Sequence, residues 1–182
     1  VGVGAGMRLH VRMFRAEAIG VQNAAKEKRD SLQARIGKLT EIVSEAPEDH
    51  FLLWHDLEDE RRAIKAALPD AVEVYGSQDL DERERRIVAF SNGESKILAG
   101  KPSMLGSGCN FQRFCHRAVF LGIGFKFNDL IQAIHRIHRF LQHEPVRIDL
   151  IFTEAEREVR RTLERKWQQH EELVRNMTEI IR

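Results

Sequence analysis

The residues most able to do chemistry lie between Asn128 and Leu141, a segment whose pattern predicts a helix. At about 100° per residue, Leu130, Ala133, Ile134, Ile137 and Leu141 form one apolar stripe. Gln132, Arg136 and Arg139 fall together on the opposite side, with no acidic partner among them. A planar guanidinium grips phosphate oxygens with two parallel hydrogen bonds, so two arginines on one ridge suit a polyphosphate. A solvated polar face gives the same spacing, so the ridge needs a second signal.

That signal is Lys101-Pro-Ser-Met-Leu-Gly-Ser-Gly-Cys-Asn-Phe-Gln112. Gly106 and Gly108 allow a ligand close to the backbone. Ser107, Asn110 and Gln112 add hydroxyl and amide groups, and Lys101 adds charge. The stretch follows an apolar strand pattern, where ligand loops of α/β proteins sit. Other chemistries are missing from the sequence. No GxSxG elbow occurs, and no Ser-His-Asp arrangement can be argued. The eight histidines match no common zinc spacing. No GxxxxGK[ST] occurs, so the chain has no P-loop of its own for nucleoside triphosphate. The glycines of residues 1–6 lack the preceding strand and spacing of a dinucleotide fingerprint. Two phosphate-seeking segments without a P-loop point to half of a split nucleotide site.

The elements that would position these residues alternate in type. Leu32, Ile36, Leu39 and Val43 mark a packing helix over about Val21 to Ala46, stopped by Pro47. Strands are expected at His50–His55, Ala71–Tyr75, Lys96–Ala99, Ala118–Leu121 and Val146–Phe152. Helices are expected at Glu58–Leu68, Asp79–Phe90 and Asn128–Leu141. Leu80, Ile87 and Phe90 are expected to face inward. Thr153 with Glu156 reads as a capping box opening a C-terminal helix. Trp167 reads as a docking contact of that helix. Strands alternating with helices predict a parallel sheet with helices on both faces, a three-layer α/β fold. The expected division is 1–46 as tail and packing helix, 47–153 as the domain proper, and 154–182 as a C-terminal helix packed on it.

Composition agrees with a soluble globular chain: 182 residues, 42 % hydrophobic and 31 % charged, with net charge +1. Two cysteines exclude a disulfide scaffold and fit a reduced, cytoplasmic setting. No apolar run reaches the roughly 18 residues of a membrane span, so no membrane partner is expected. Near-neutral charge says nothing against DNA, because Phe111 to Arg147 alone holds six basic residues against two acidic ones.

Residues 50 to 153 resemble the C-terminal RecA-like lobe of superfamily-two helicases. They are most similar to Swi/Snf-type translocases found in phages and mobile elements beside DNA methyltransferases. Phe51-Leu-Leu-Trp-His55 resembles motif IV. Tyr75-Gly-Ser77, Asp81-Glu-Arg-Glu-Arg85 and Phe90-Ser-Asn-Gly93 resemble the segments that follow it. Lys101 to Gln112 resembles motif V, KPxxxGxGxNxQ. Gln132-Ala-Ile-His-Arg136-Ile-His-Arg139-Phe-Leu-Gln142 resembles motif VI. Two positions depart from the family pattern: Leu141 replaces a glycine, and His135 replaces an acidic residue.

The resemblance implies a RecA-like second lobe that works with an N-terminal lobe of the same parent chain. That lobe would carry the P-loop and the Asp-Glu motif holding Mg2+. Arg136 and Arg139 would be arginine fingers on ATP, with Gln132, Gly106 and Gly108 at the nucleotide. Ser107, Asn110, Gln112 and Lys101 would touch the DNA backbone. The alternative is a non-catalytic RecA-like module that binds DNA or a partner protein.

Overall fold

The computed structural model describes residues 7–14, 31–105, 109–122, 127–138, 142–153 and 156–180. The elements follow in the order β1 Met7–Phe14, α1 Leu32–Ser44, β2 His50–Trp54, α2 Glu58–Ala67, β3 Val72–Val74, α3 Leu80–Ser91, β4 Ile97–Gly100, β5 Cys115–Leu121, α4 Phe127–Ile134, β6 Val146–Thr153 and α5 Arg157–Ile180. The strands form one sheet in the order β1-β6-β5-β2-β4-β3, and every pairing is parallel.

Side chains alternate across a strand, and both faces of this sheet are covered, so Phe51–Trp54 of β2 and Ala118–Leu121 of β5 are continuous apolar runs. Leu52 and Trp54 of β2 face one core, with Ala118 and Phe120 of β5 and Ile148, Leu150 and Phe152 of β6. Phe90 of α3, Leu130, Ala133 and Ile134 of α4, and Leu163 and Trp167 of α5 cover that face. Phe51, Leu53, Val119, Leu121 and Ile151 face the other core, under Ile36, Leu39 and Ile42 of α1 and Ile64 of α2. Removing one large side chain of this kind from water stabilises by about 1.5–3 kcal/mol. Trp167 is therefore a docking contact, as expected. Glu156 also closes the turn before α5, accepting hydrogen bonds from the Thr153 N–H at 2.8 Å and its hydroxyl at 3.3 Å.

Two sequence expectations need correction. A sixth strand, β1, pairs with β6 over its whole length, Met7 with Val146 through Phe14 with Thr153, where a tail was expected. The helix expected over about Val21 to Ala46 is observed as Leu32–Ser44, and residues 21–30 lie outside the described ones. Leu80 is 66 % exposed, whereas Phe90 is buried and Ile87 packs partly against the core. Leu80 opens α3, one residue after the N-cap Asp79, at the rim of the sheet where there is no core to enter. No helix among the described residues is long and apolar enough to cross a membrane.

A buried ion pair pins the carboxyl edge of the sheet. The Arg35 guanidinium donates from Nη1 to Glu60 Oε1 at 2.8 Å and to the Leu121 carbonyl at 3.0 Å. Its Nε donates to Ser31 Oγ at 3.3 Å. Glu60 Oε2 accepts from the Asp56 and Leu57 N–H groups at 2.9 and 3.0 Å. Both side chains are 1 % exposed. Further hydrogen bonds of this kind are what makes two desolvated charges tolerable.

His55 follows the last residue of β2 beside this pair and is fully buried. Neither ring nitrogen has a hydrogen-bond partner among the described residues. Burial pushes its pKa down to about 4. The unfolded ring binds a proton as pH falls through about 6.5, while the native ring stays neutral until about 4. Stability is therefore lost between those values, by about 3 kcal/mol in all. Urea unfolding of wild type and His55→Leu from pH 7 to pH 4 checks this. The variant should lose less stability on acidification, and equal losses would show a ring that is charged in the native state.

Candidate functional site

The site is built by one connection. β4 ends at Gly100 on the carboxyl edge, and β5 begins at Cys115 on the amino edge. Because the strands are parallel, residues 101–114 must travel back along the sheet. The described part of this crossover holds no helix. Its start stays at the carboxyl edge, where the Met104 N–H donates to the Lys101 carbonyl at 3.0 Å. Met104 lies over Gly76, within 3.7 Å of where a Cβ would stand, and Leu105 is buried. Cys109 Sγ donates to the Leu105 carbonyl at 2.7 Å. The groove between this segment and α3 has a volume of about 620 Å³ and is lined by Ile87, Val88, Met104, Cys109 and Asn110.

The far end of the crossover is fixed by aromatic packing. Phe111 is buried edge-on against Phe90, with ring centroids 5.2 Å apart. Phe114 lies 5.9 Å from the His50 ring at the start of β2. It also fills the space over Gly93, whose φ is +78°. A Cβ at Gly93 would stand 2.9 Å from Phe114 Cδ1, so this position needs glycine for two reasons.

Here the crossover meets the residues after α4. The Phe111 N–H donates to the Arg136 carbonyl at 3.0 Å, and the Phe111 carbonyl accepts from the Cys115 N–H at 2.9 Å. Gln142 Nε2 donates to the Ile137 carbonyl at 2.9 Å and the Cys115 carbonyl at 3.2 Å. The Arg136 turn thus sits at the amino end of β5, next to Asn110 and Gln112 in the chain it touches.

The helix expected to reach Leu141 ends at Ile134. Beyond it, Arg136 N–H bonds the Ala133 carbonyl and Ile137 N–H bonds the Ile134 carbonyl, at 3.2 and 3.1 Å. These three-residue steps tighten the turn. They also break the 100° progression that put Arg136 on an outer ridge with Gln132. Gln132 is exposed, but Arg136 is only 8 % exposed. Its guanidinium has no hydrogen bond or ion pair among the described residues. The apolar stripe itself is as expected, with Leu130, Ala133, Ile134 and Ile137 all buried.

The remaining candidates divide. Asn110 is exposed, and its Oδ1 accepts a long bond from the Gln112 N–H at 3.4 Å. Gln112 is half-buried beside Phe111. Lys101 is half-buried at the carboxyl edge, away from Arg136. Gly106, Ser107, Gly108, Arg139 and Leu141 lie outside the described residues. Both cysteines are free: Cys109 is partly buried, and burial pushes the Cys115 thiol up to about 12. Sequence reasoning missed His55 and the Arg35–Glu60 pair. A glutamate three residues after a β2–α2 junction at Leu57 was the one local hint of Glu60.

No family model matches this chain, and no curated protein does. Solved structures do. The C-terminal part of the Fun30 ATPase domain superimposes with a TM-score of 0.57 at 18 % identity, over 66 % of this chain and 41 % of that one. The C-terminal domain of the DEAD-box protein Dbp5 gives 0.65 at 13 % identity, over 91 % of this chain and 87 % of that one. Domain 2 of the DEAD-box helicase Mss116p, bound to an RNA duplex, gives 0.60 at 14 %, over 80 % and 54 %. This chain therefore spans less than half of the Fun30 structure. At such identities the likeness is one of fold: the parallel α/β fold of RecA-like helicase C-terminal lobes.

The contact over Gly93 gives a direct test of the crossover's packing. Gly93→Ala should destabilise by about 1–3 kcal/mol, through the positive φ and the crowding together. Adding Phe114→Ala removes the crowding only, so that part of the loss should be non-additive in urea unfolding. Full additivity would show that Phe114 does not lie over Gly93.

Proposed function

We propose that this chain is the second motor lobe of an ATP-dependent DNA helicase or translocase of the Swi/Snf-like, phage or mobile-element type. On this reading residues 47–153 are the lobe proper. β1 and α1 add an edge strand and a packing helix, and residues 154–182 add a docking helix. The parent works in the cytoplasm on DNA.

One observation carries the reading. Arg136 is a nearly buried residue whose guanidinium has no side-chain partner among the described residues, and its backbone is bonded to the loop that resembles motif V. A desolvated charge is costly unless an anion joins it. Phosphate oxygens match the fork of donors best. The donor set fits the triphosphate of ATP and does not fit Mg2+, which the N-terminal lobe would hold.

Bound ATP supplies the phosphoanhydride that is broken, and this chain supplies charge and position. Arg136 and Arg139 neutralise charge developing on the transferring phosphoryl group, an effect worth about 10³–10⁵ in rate where it has been measured. Gln132 orients the nucleotide. Gly106 and Gly108 let the backbone approach it. Ser107, Asn110, Gln112 and Lys101 hold the DNA backbone, which positions the strand without reading its sequence. The crossover that carries Lys101, Asn110 and Gln112 also bonds the Arg136 turn through the Phe111 N–H, a route for coupling hydrolysis to movement.

In the full-length parent, Arg136→Ala and Arg139→Ala should each reduce DNA-stimulated ATP hydrolysis by about 10³-fold or more, with little change in thermal midpoint. Large losses of stability instead would make these arginines structural. Wild-type turnover in both variants would favour the non-catalytic module. The isolated chain should hydrolyse no ATP, and turnover by it would contradict a split site. Its DNA binding should be weak and should fall steeply with salt. Tight, salt-insensitive binding would also favour the module.

A further inference from the structure

The C-terminal helix α5 holds both ends of α4. Leu163 and Trp167 enter the core beside Leu130, Ala133, Ile134 and Ile137. His170 continues the same face at helical spacing. Its ring centroid lies 5.9 Å from that of Trp167 and 6.4 Å from that of Phe127, the first residue of α4. It also lies 6.1 Å from the ring of His135, which follows the last residue of α4. The Phe127 contact is edge-on, at 75°, and the other two are tilted at 46° and 49°. These spacings are those of favourable ring pairs.

His135 is the residue before Arg136. The turn that carries Arg136 is therefore gripped from two sides. The crossover holds its backbone through the Phe111 N–H, and α5 holds the preceding ring through His170. α4 has ended by this point, and the turn keeps only a few local bonds of mixed span, among them His138 N–H to the Ile134 carbonyl at 2.9 Å, so outside contacts can shift it. His135 stands where the resembled family has an acidic residue, and it brings an aromatic surface that a carboxylate lacks.

We infer that α5 sets the position of the Arg136 turn, with His170 as the positioning residue. The inference rests on the reading of Arg136 as a phosphate-binding arginine. Its consequence is kinetic. A catalytic group displaced by about 1 Å can lose about 10² in rate. An arginine that acts on the transition state loses kcat rather than KM.

The test uses the full-length parent, with ATP and duplex DNA, comparing His170→Ala, His170→Phe and Arg136→Ala. His170→Ala should lower DNA-stimulated kcat about tenfold or more, by misplacement of the turn. KM for ATP should stay within about twofold, as expected of an interaction made in the transition state. His170→Phe should restore kcat, because the contacts are made by the ring and not by its charge. If His170→Ala is too unstable to assay, His170→Leu removes the ring while keeping apolar volume, and the same loss is expected. Normal kcat in the alanine or leucine variant, with Arg136→Ala inactive, overturns the inference alone. Equal loss in the alanine and phenylalanine variants overturns it too. Normal kcat in Arg136→Ala overturns the reading of the site beneath it.

Discussion

The middle strands of this sheet, β2 and β5, are buried on both faces, and everything else follows from that. The carboxyl halves of these two strands, Leu52–Trp54 and Ala118–Leu121, carry no polar side chains, so chemistry must sit on the connections. Because all pairings are parallel, each connection must also return the length of a strand. Between β4 and β5 the described return is irregular chain rather than helix. It brings a polar loop past α3 and delivers Phe111 to the Arg136 turn. A hydrogen-bonded backbone contact between two segments that each favour phosphate is the product of topology, not of their nearness in sequence.

Charge fixes the two rims of the sheet in different ways. At the carboxyl edge, Arg35 and Glu60 join α1, the start of α2 and the end of β5. Losing one member would leave the other buried and unpaired, typically a loss of about 3–5 kcal/mol. At the amino edge, Asp49, Arg117, Asp149 and Arg147 form a chain across β2, β5 and β6. Its links are 3.2 Å from Arg117 to Asp49, 3.8 Å from Arg117 to Asp149 and 3.2 Å from Arg147 to Asp149. Arg117 also lies 4.7 Å above the Phe51 ring. A sheet clamped at both rims is a rigid frame on which a loop and a turn can be held in register.

Much of this frame was legible in the sequence. Phe51 to Trp54 and Ala118 to Leu121 are continuous apolar runs, as strands buried on both faces must be. β1 was not legible, because Arg8, His10 and Arg12 interrupt Met7, Leu9, Val11 and Met13. That alternation suits a strand at the edge of a sheet but does not resemble its buried neighbours. The Arg35–Glu60 pair was hidden because two charges separated by 25 positions look like solvated helix residues. At the site, the types and order of Gln132, Arg136, Asn110 and Gln112 carried the signal. The burial of Arg136 did not show, since a periodicity argument assumes that the helix continues. It stops at Ile134, and the tightened turn carries Arg136 inward.

The central claim is that Arg136 is held on this lobe to meet phosphate from another. A crystal structure of the full-length parent with DNA and ADP–aluminium fluoride, a mimic of the transferring phosphoryl group, tests it most directly. The account predicts the Arg136 guanidinium within hydrogen-bond distance of the fluoride, about 2.7–3.2 Å, with the Phe111–Arg136 backbone bond intact. An Arg136 that stays tucked into its own lobe, with no contact to the mimic, would contradict it.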